Sequence, residues 1–364
     1  WDLGGIPNWR AMSNNSVVCD DISKLPAEFW EGYNGNGEPY GLINLSASRR
    51  MGRTFEIEYP DPDVQGFNPC AEQSLANFET CCLAEIYLPN IEHYEELKKV
   101  ARYLYRINKH SLAIKCAVKE TEDIVHKNMR MGIGVTGYLQ ATEEQRSWLA
   151  DCYDYIRAYD KEYSQLAGYP ASIKLTTVKP SGTLSLLAGV TPGAHPGYSE
   201  YYIRRIRMSA DSSLAHAARK HGYPVEFVLN FDGTEDKSTI VVSFPCKFPK
   251  GTMFANDMTA LDQLEVIKRL QAEWSDNAVS VTIYYRKEEL DGIKEWLDKN
   301  FKNVKSVSFL LHNEHGFKQA PLEEIDEGTY LDMRKTVTPI TSIDQLGLDE
   351  VEIDDCEGGA CPVR

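Results

Sequence analysis

The stretch GFNPCAEQSLANFETCCL, residues 66–83, places an amide, a thiol and a carboxylate at alternate positions near its start. Because a proline disfavours helical geometry at the residue before it, the sequence predicts an extended backbone at Asn68. In an extended backbone, residues two apart point to the same side. Asn68, Cys70 and Glu72 are therefore expected to face one common space, whereas a helix would turn Cys70 away from the other two.

Cys70 has two ordinary interpretations besides a special chemical role. A conventional cysteine nucleophile needs an activating base, and no histidine lies nearby in the sequence. A free thiol packed in a core strand is also common. Glu72 weakens this second interpretation, because a carboxylate facing the same space would be costly in an apolar core. The residues alone leave the reaction undefined.

Around this stretch, the chain alternates strand-like and helix-like segments. β-Branched and apolar runs predict strands at SIKLTTV (172–178), TIVVSF (239–244), AVSVTIYY (278–285) and SVSFLL (306–311). Apolar residues at helical spacing predict helices at 93–107, 259–274 and 289–301. This alternation indicates an α/β fold with parallel pairing. We assign residues 1–340 to the folded body and the acidic, glycine-containing residues 341–364 to a mobile tail.

The composition is typical of a soluble globular protein, with 42% hydrophobic and 26% charged residues among 364. A formal net charge of -15 argues against broad binding to nucleic acid or to an anionic membrane, though not against one small phosphorylated ligand. No apolar run is long enough to span a bilayer, and no signal peptide opens the chain. We therefore expect a cytoplasmic protein with no nucleic-acid or membrane partner.

Nine cysteines are scattered along the chain, an odd number that does not suit a secreted disulfide scaffold. No paired C-x2-C knuckles and no histidine cluster accompany them, so we expect no structural zinc site. Cys81 and Cys82 follow Cys70 closely, whereas Cys356 and Cys361 form a C-x4-C pair on the acidic tail. The simplest use of a tail dithiol is to carry reducing equivalents to a buried disulfide by thiol–disulfide exchange.

The segment GIGVTG, residues 132–137, matches the G-x-G-x-x-G fingerprint of dinucleotide-binding proteins. That fingerprint needs a hydrophobic strand immediately before it, but the preceding TEDIVHKNMRM is polar and helix-like. The sequence therefore predicts a close-packed turn that leads into a helix, and not a nicotinamide site.

The segment KPSGTLSLLAG, residues 179–189, has the features of a phosphate-binding turn. A predicted strand runs into Pro-Ser-Gly-Thr and an apolar stretch follows, so free backbone N–H groups and the positive end of a helix dipole would lie together. The hydroxyl groups add donors, and Gly182 lets a phosphate approach the backbone closely. No G-K-[ST] follows, which excludes a Walker A loop. A plain capped helix remains an equally good interpretation.

Several separated motifs, taken together, resemble one enzyme family. They are NPCAEQSL, ETCCLAEIYLP, KPSGTLSLLAGVTPGAHPGYSEYYIRRIR, SVSFLL, HGFKQAPLEEI and the terminal CEGGACPVR, with MSNNSV (12–17) and NGEPYGLINL (36–45) near the start. In this order they resemble the adenosylcobalamin-dependent (class II) ribonucleotide reductases, most closely the monomeric branch that reduces ribonucleoside triphosphates. The resemblance implies the C-terminal half of a ten-stranded α/β barrel, with an inner finger loop near 66–83 that carries the radical cysteine.

The resemblance also implies roles for individual positions. Cys70 would form a thiyl radical, generated with adenosylcobalamin, that abstracts the 3′ hydrogen of the ribose. Glu72 would act as the base on the 3′-hydroxyl, and Asn68 would hydrogen-bond the substrate. Cys81 would be one of two thiols that reduce the 2′ position and end as a disulfide.

Two further groups of residues receive roles from the resemblance. The substrate phosphates would bind at Ser181, Gly182, Thr183, Leu184 and Ser185. Cys356 and Cys361 would reduce the active-site disulfide again and would be recharged by a thioredoxin-type protein.

The family also has parts that this sequence does not contain. There, the partner of Cys81 lies on an early barrel strand, and the loop that couples a deoxynucleotide effector to substrate choice lies upstream of MSNNSV. Because half a barrel leaves exposed edges, we expect a separate N-terminal polypeptide as partner. Two alternatives to this interpretation remain. The first is a glycyl-radical reductase, but the C-terminus here has C-x4-C in place of the glycyl-radical motif of that class. The second is a non-catalytic partner subunit, which would not need the retained thiols and carboxylate.

Overall fold

The computed structural model describes residues 16–34, 40–56, 60–230, 233–249, 251–312 and 319–342. These residues form two compact units. The first contains the described residues up to Gly197 and those from Phe248 to 312, and the second contains Tyr198–Lys247 and 319–342. The sequence predicts one folded body over 1–340, and the second unit is not part of that prediction. Apart from its first two positions, the predicted tail lies outside the described residues.

The helices and strands are numbered in chain order. The strands are β1 (Ser16–Val18), β2 (Gly41–Ile43), β3 (Val64–Phe67), β4 (Ser74–Ala76), β5 (Leu83–Tyr87), β6 (Gly132–Thr136), β7 (Tyr201–Ser209), β8 (Val225–Leu229), β9 (Glu235–Lys247), β10 (Thr282–Tyr285), β11 (Ser306–Leu311) and β12 (Leu322–Glu324). The α-helices are α1 (Leu45–Arg50), α2 (Tyr94–Leu112), α3 (Lys119–Asn128), α4 (Glu143–Ala167), α5 (Leu184–Ala188), α6 (Ser213–Lys220), α7 (Ala260–Glu273), α8 (Leu290–Asn300) and α9 (Glu327–Thr336). Short 3₁₀ helices lie at Ile22–Lys24, Ala27–Asn34, Leu88–Asn90, Ala255–Asp257, Lys287–Glu289 and Phe301–Asn303.

A mostly parallel sheet organises the first unit. β5 pairs in parallel with β6, and β10 pairs in parallel with β11. Isolated parallel bridges join Ile133 of β6 to Thr176, and Val178 to Val279 just before β10. β11 pairs antiparallel with β2, which pairs in parallel with β1. The predicted α/β fold with parallel pairing is confirmed, in the order β5, β6, 172–178, β10, β11, β2, β1.

The segment 172–178 is extended, but it is not the regular strand that the sequence predicted. The carboxylate of Asp276 accepts hydrogen bonds from the N–H groups of Leu175 and Thr176 at 2.8–3.0 Å. Asp276 is fully buried and is itself held by Arg157 at 2.5 Å. A buried side chain therefore replaces part of the β ladder, which a strand pattern alone cannot indicate.

The segment 132–137 contains strand β6, so the predicted turn into a helix is wrong. All five residues of β6 are buried. A Cβ added at Gly132 would lie 2.8 Å from the side chains of both Leu83 and Thr177, so the glycine lets neighbours on either side pack closely. Gly132 and Gly134 lie inside a strand that follows helix α3, and Gly137 lies just beyond that strand, whereas the dinucleotide fingerprint requires its glycines to come after a strand.

The other predicted elements of the first unit are mostly confirmed. β11 matches SVSFLL at both ends, whereas β10 covers only the last four residues of 278–285. α7 and α8 lie within one residue of their predicted bounds, and α2 continues to Leu112 beyond its predicted end. Their apolar faces pack into one core, which includes Leu97, Ala101, Leu264, Ile267 and Ile293. Among the described residues, no helix is long and apolar enough to cross a lipid bilayer.

The second unit is built on an antiparallel sheet in the order β12, β7, β9, β8. Helix α6 packs on this sheet through Ala215 and Ala218, against Ile240 and Val242 of β9. The predicted strand TIVVSF lies within β9, but β9 pairs antiparallel with both of its neighbours. It therefore does not belong to the parallel alternation from which it was predicted.

Candidate functional site

Residues 68–73 form the tip of a hairpin between β3 and β4. The N–H of Asn68 donates to the carbonyl of Gln73 (3.1 Å), and the N–H of Ala71 donates to the carbonyl of Asn68 (2.9 Å). Ala71 has a φ of 60°, in the left-handed region. The extended run predicted through Asn68, Cys70 and Glu72 is therefore wrong, because the segment forms a tight turn at 69–71. The Asn68 side chain stabilises it, because Oδ1 accepts from the N–H of Gln73 at 3.0 Å.

The three carbonyl groups at the tip of this turn are bound to the parallel sheet. The donors are Ser280 Oγ to Cys70 O (2.5 Å), Ser306 Oγ to Ala71 O (3.0 Å), and Thr177 Oγ1 and Ala278 N to Glu72 O (2.7 and 3.0 Å). These donors come from three neighbouring segments of the sheet. Because each carbonyl is fixed, the side chains of the turn are held against the strand ends.

The turn brings the predicted catalytic side chains together, although by a different backbone geometry from the one predicted. Glu72 interacts with the side chain of Asn68, and the Cys70 thiol lies in the electrostatic field of Glu72. Cys81 interacts with both Asn68 and Glu72. Cys70 and Cys81 are exposed, whereas Asn68 and Glu72 are 7% and 1% exposed. Two accessible thiols thus lie beside a buried amide and a buried carboxylate.

Glu72 is electrostatically unusual. Burial raises its pKa, and this effect is reduced by the hydrogen bond from Asn68 and by the positive charge of Lys179. Its Oε2 atom is buried and has no hydrogen-bond partner among the described residues. A buried acceptor that receives no hydrogen bond destabilises the fold. This oxygen is therefore suited to accept a hydrogen bond from a hydroxyl group of a ligand. The raised pKa also makes the carboxylate a stronger base.

The pKa values of Cys70 and Cys81 are both raised. Although both side chains are exposed, partial desolvation of their thiols by neighbouring atoms is the largest cause, and the negative charge of Glu72 adds to it. Lys179 acts in the opposite direction on both thiols. At neutral pH both sulfur atoms therefore carry a proton, which is the state from which a hydrogen atom can be removed.

Cys82 has different surroundings from Cys81. It is half-buried against the hydrophobic core, and its Sγ lies 3.9 Å from the carbonyl oxygen of Asn108. Burial raises the pKa of Cys82 to about 11. Its N–H donates to Gln73 Oε1 at 3.2 Å, which ties this residue to the turn. A structural role explains each of these contacts without any chemical role for the Cys82 thiol.

Within the described ranges, no three histidine, cysteine, aspartate or glutamate side chains are grouped as a metal site requires.

Two residues of the site received no role from the sequence. Lys179 and Glu85 form an ion pair with Nζ and Oε2 at 3.5 Å, and their side chains are 18% and 4% exposed. Burial raises the pKa of Glu85, and the side chain of Ser181 and the positive charge of Lys179 partly offset this rise. The sequence does contain a signal for Glu85, because a carboxylate is unusual within the otherwise apolar strand LAEIY. Lys179 opens the phosphate-turn motif, but nothing in that motif indicated that its side chain interacts with the thiols.

The predicted phosphate turn, residues 181–185, leads into the short helix α5. Ser181 is buried and has a φ of 51°, in the left-handed region. Thr183 is the N-cap residue, but its side chain makes no capping hydrogen bond. The Oγ of Ser185 is buried and has no partner among the described residues. These features weigh against a plain capped helix. Cys356 and Cys361 lie outside the described residues.

Comparison with known proteins points to one family. A family model described as the ribonucleotide reductase barrel domain matches residues 36–148. A probable adenosylcobalamin-dependent ribonucleoside-triphosphate reductase of Dictyostelium discoideum is 34% identical over 96% of this chain and 47% of its own length. The adenosylcobalamin-dependent ribonucleoside-triphosphate reductase of Lactobacillus acidophilus is 34% identical over 98% of this chain and 53% of its own length. The chain thus spans about half the length of these relatives.

A solved structure gives the same answer for the fold. A crystal structure of a B-12 dependent (class II) ribonucleotide reductase superimposes with a TM-score of 0.73 at 28% identity, over 93% of this chain and 51% of that one. The prediction that this chain forms part of such an α/β barrel is confirmed.

Proposed function

Since this chain belongs to the ribonucleotide reductase family, we propose that it carries the radical and acid–base residues that reduce the ribose of a nucleotide to deoxyribose. Loss of the 2′-hydroxyl needs a hydrogen-atom acceptor, a proton acceptor and two electrons. The main support for this proposal is the turn at Cys70, where an accessible thiol lies beside the buried carboxylate of Glu72. One oxygen of that carboxylate has no hydrogen-bond partner among the described residues.

In the proposed reaction, the thiyl form of Cys70 takes the 3′ hydrogen atom of the ribose. Glu72 accepts the proton of the 3′-hydroxyl, which assists departure of the 2′-hydroxyl as water, and Asn68 hydrogen-bonds the substrate. Cys81 and a second thiol supply two electrons and two hydrogens and become a disulfide, and Cys70 returns a hydrogen atom to the 3′ carbon. The balance is one ribonucleotide and two thiols giving one deoxyribonucleotide, one disulfide and one water. A positioned base typically contributes about 10²–10⁴-fold to the rate.

The substrate class follows from the names of the relatives, which are ribonucleoside-triphosphate reductases. We assign the phosphates to the turn at Ser181, Gly182, Thr183, Leu184 and Ser185. The first N–H that bonds back within this turn is that of Ser185, to the carbonyl of Ser181 at 3.1 Å. Earlier N–H groups of the turn are therefore suited to an anionic ligand. The buried hydroxyl of Ser185 offers a further donor. A deoxynucleotide effector is proposed on the same family grounds.

We extend the adenosylcobalamin dependence of the relatives to this chain. No side chain forms a thiyl radical unaided, and bound adenosylcobalamin would supply the one-electron oxidation of the Cys70 thiol. The exposed position of Cys70 at the tip of the turn fits this requirement, because the thiol is accessible to a bound group. A Cys70 enclosed in aliphatic packing would not fit it.

The remaining parts of the reaction lie outside the described residues. We propose that Cys356 and Cys361 reduce the disulfide that forms at Cys81, and that a thioredoxin-type protein recharges them. Each turnover consumes one dithiol, so an exchangeable reductant is required.

We also propose that a separate N-terminal polypeptide completes the barrel and supplies the second thiol. Among the described strands, β5 pairs only with β6, and β1 pairs only with β2. The sheet therefore has two open edges, and such edges favour pairing with further strands. The relatives, which are about twice as long as this chain, have room for those strands.

A reconstituted turnover assay tests the proposal. The chain is mixed with the N-terminal half of a relative, adenosylcobalamin, a ribonucleoside triphosphate and dithiothreitol, and deoxynucleotide is measured by chromatography. We expect product with both polypeptides, none with Cys70→Ser, and unchanged product with Cys116→Ser, a matched control on a cysteine distant in sequence from the turn. Turnover that survives Cys70→Ser, or no product from the complete mixture, contradicts the proposal. Turnover by this chain alone contradicts the requirement for a second polypeptide.

A further inference from the structure

His195 lies in the segment TPGAHPG, residues 191–197, which follows helix α5 and has no part in the reaction as described so far. The residue is 9% exposed, and both nitrogen atoms of its ring are hydrogen-bonded. Nδ1 lies 3.0 Å from the carbonyl oxygen of Pro192, and Nε2 lies 3.0 Å from the backbone nitrogen of Thr282. Because a carbonyl only accepts and a backbone N–H only donates, the ring carries its proton on Nδ1 and accepts at Nε2.

The bond to Thr282 replaces a missing neighbour in the parallel sheet. Alternate residues of a parallel strand direct their N–H groups to the same neighbouring strand. On this side, the N–H of Ser280 donates to the carbonyl of Val178 at 2.9 Å. Two residues later the neighbouring segment has ended, and His195 Nε2 accepts the N–H of Thr282 instead. A histidine side chain thus completes the hydrogen bonding of β10 where a strand is no longer available.

The segment that carries His195 also packs against the turn at 181–185, which we call the phosphate turn. Gly193 lies two residues before His195. A Cβ added there would lie 2.1 Å from the carbonyl oxygen of Lys179 and 3.3 Å from that of Pro180, the two residues that lead into the phosphate turn. Only glycine allows so close an approach. The segment therefore lies directly against the entry to the phosphate turn.

On the other side of the same bond, β10 is tied to residues 68–73, which we call the Cys70 turn. Ser280, two residues before Thr282, donates through Oγ to the carbonyl of Cys70 at 2.5 Å. A continuous series of contacts thus joins the phosphate turn, His195, the start of β10 and the Cys70 turn. Burial lowers the pKa of His195 to about 4, so the ring is neutral at neutral pH and keeps Nε2 free to accept.

We infer that His195 is a positioning residue that fixes the phosphate turn relative to the Cys70 turn through its hydrogen bond to Thr282. A nucleotide held by its phosphates would then present its ribose to the Cys70 sulfur in one orientation. The inference rests on the proposed function and deepens it, because it explains how one substrate is aligned on two separate turns. A misplacement of the reacting atoms by about 1 Å can cost about 10²-fold in rate.

Two substitutions at His195 separate this role from local packing. In His195→Gln the amide reaches the position of Nε2, where its oxygen can still accept from Thr282. In His195→Asn the shorter amide reaches only the position of Nδ1, where its nitrogen can still donate to Pro192. If the bond to β10 is what matters, glutamine preserves the alignment and asparagine loses it. If His195 only shapes its own segment, asparagine is the better replacement.

The reconstituted turnover assay gives the first readout, with the concentration of ribonucleoside triphosphate varied. We expect His195→Asn to lower kcat about ten- to hundredfold with little change in KM, because the phosphates still bind while the ribose is displaced. His195→Gln should stay close to wild type. His216→Asn, at an exposed histidine of helix α6, is the matched control and should equal wild type. An equal loss in both His195 variants, or a change in KM alone, would overturn the inference.

Hydrogen exchange of the full chain gives a second readout that needs no turnover. Mass spectrometry follows the backbone amides of peptides that cover 278–285 and 66–76, with a peptide from β9 as the internal reference. His195→Asn should accelerate exchange in both peptides, because the Thr282 bond is lost and the Ser280 anchor of the Cys70 turn loosens. His195→Gln should leave both peptides close to wild type. Unchanged exchange in His195→Asn, or equal acceleration in both variants, would overturn the inference.

The two readouts separate failure of this inference from failure of the proposed function. A wild-type mixture without product would contradict the proposed function, and the exchange comparison would still decide whether His195 links the two turns. Normal wild-type turnover with no difference between the His195 variants would contradict the inference alone. If His195→Asn does not fold, His195→Gln decides by itself: a folded and active glutamine variant supports the inference, and an inactive one overturns it.

Discussion

Replacing Glu72 with glutamine is expected to stabilise the fold while it removes the chemistry. The Glu72 side chain is 1% exposed, and its Oε2 has no donor among the described residues. An unpartnered buried acceptor costs about 1–3 kcal/mol, and a charged one costs more. Glutamine has nearly the same shape, carries no charge and can still accept from Asn68. We expect a gain of about 1 kcal/mol in the free energy of unfolding at pH 7.5 and a loss of about 10²–10⁴-fold in turnover.

The stability gain should depend on pH. Because burial raises the pKa of Glu72 in the folded chain, the ionised carboxylate destabilises the fold at pH values above that pKa. The penalty is lost as the pH falls through the raised pKa towards the ordinary value of 4.5, where the group takes up a proton in both states. Urea denaturation of wild type and Glu72→Gln from pH 8 down to pH 4.5 should therefore give two curves that converge. A variant less stable than wild type at pH 7.5, or a gap that does not change with pH, would refute the reasoning.

Four further substitutions test the anchoring of the turn, the buried ion pair of Asp276 and the redox roles of two cysteines. Thr177→Val removes the hydroxyl donor to the Glu72 carbonyl, which keeps the N–H of Ala278 as a donor. Urea denaturation should show that the free energy of unfolding falls by about 1 kcal/mol. An unchanged free energy of unfolding would contradict the anchoring of the turn. Asp276→Ala removes the nearer of the two carboxylates that pair with the buried guanidinium of Arg157, and it should cost about 3–5 kcal/mol in the same measurement. A cost below about 1 kcal/mol would count against a contribution of this ion pair to stability. In the reconstituted assay, Cys81→Ser should block multiple turnovers and Cys82→Ser should not; the reverse result would exchange their roles.

The regular elements were the part of the fold that the sequence predicted best. The run 306–311 is β-branched and apolar, and it forms β11 at the predicted bounds. The segment 172–178 looks equally strand-like, but its N–H groups bind Asp276, about 100 residues away in the chain. Local propensity cannot report such a contact. The glycines of 132–137 suggested a turn, whereas close packing of neighbouring strands requires Gly132 and Gly134 in β6, and only Gly137, just beyond β6, has a positive φ.

The convergence of Asn68, Cys70 and Glu72 was predictable from the sequence, whereas the backbone geometry that brings them together was not. The proline at 69 correctly excluded a helix, but alternate side chains can also converge in a tight turn. That turn depends on a left-handed Ala71, and alanine gives no signal for a positive φ. The pairing of Lys179 with Glu85 joins two motifs that are far apart in sequence, so only the fold reveals it. The second unit was missed because no linker composition marks its boundaries.

The claim on which the whole account depends is that the sulfur of Cys70 becomes a radical next to the nucleotide. Electron paramagnetic resonance on the complete, rapidly frozen mixture of both polypeptides, adenosylcobalamin and nucleotide tests it directly. We expect the signal of a sulfur-centred radical that narrows when the cysteine β-hydrogens are replaced by deuterium. The signal should be absent in Cys70→Ser and unchanged in Cys116→Ser. A radical signal that persists in Cys70→Ser, or one that is insensitive to cysteine deuteration, would contradict the claim.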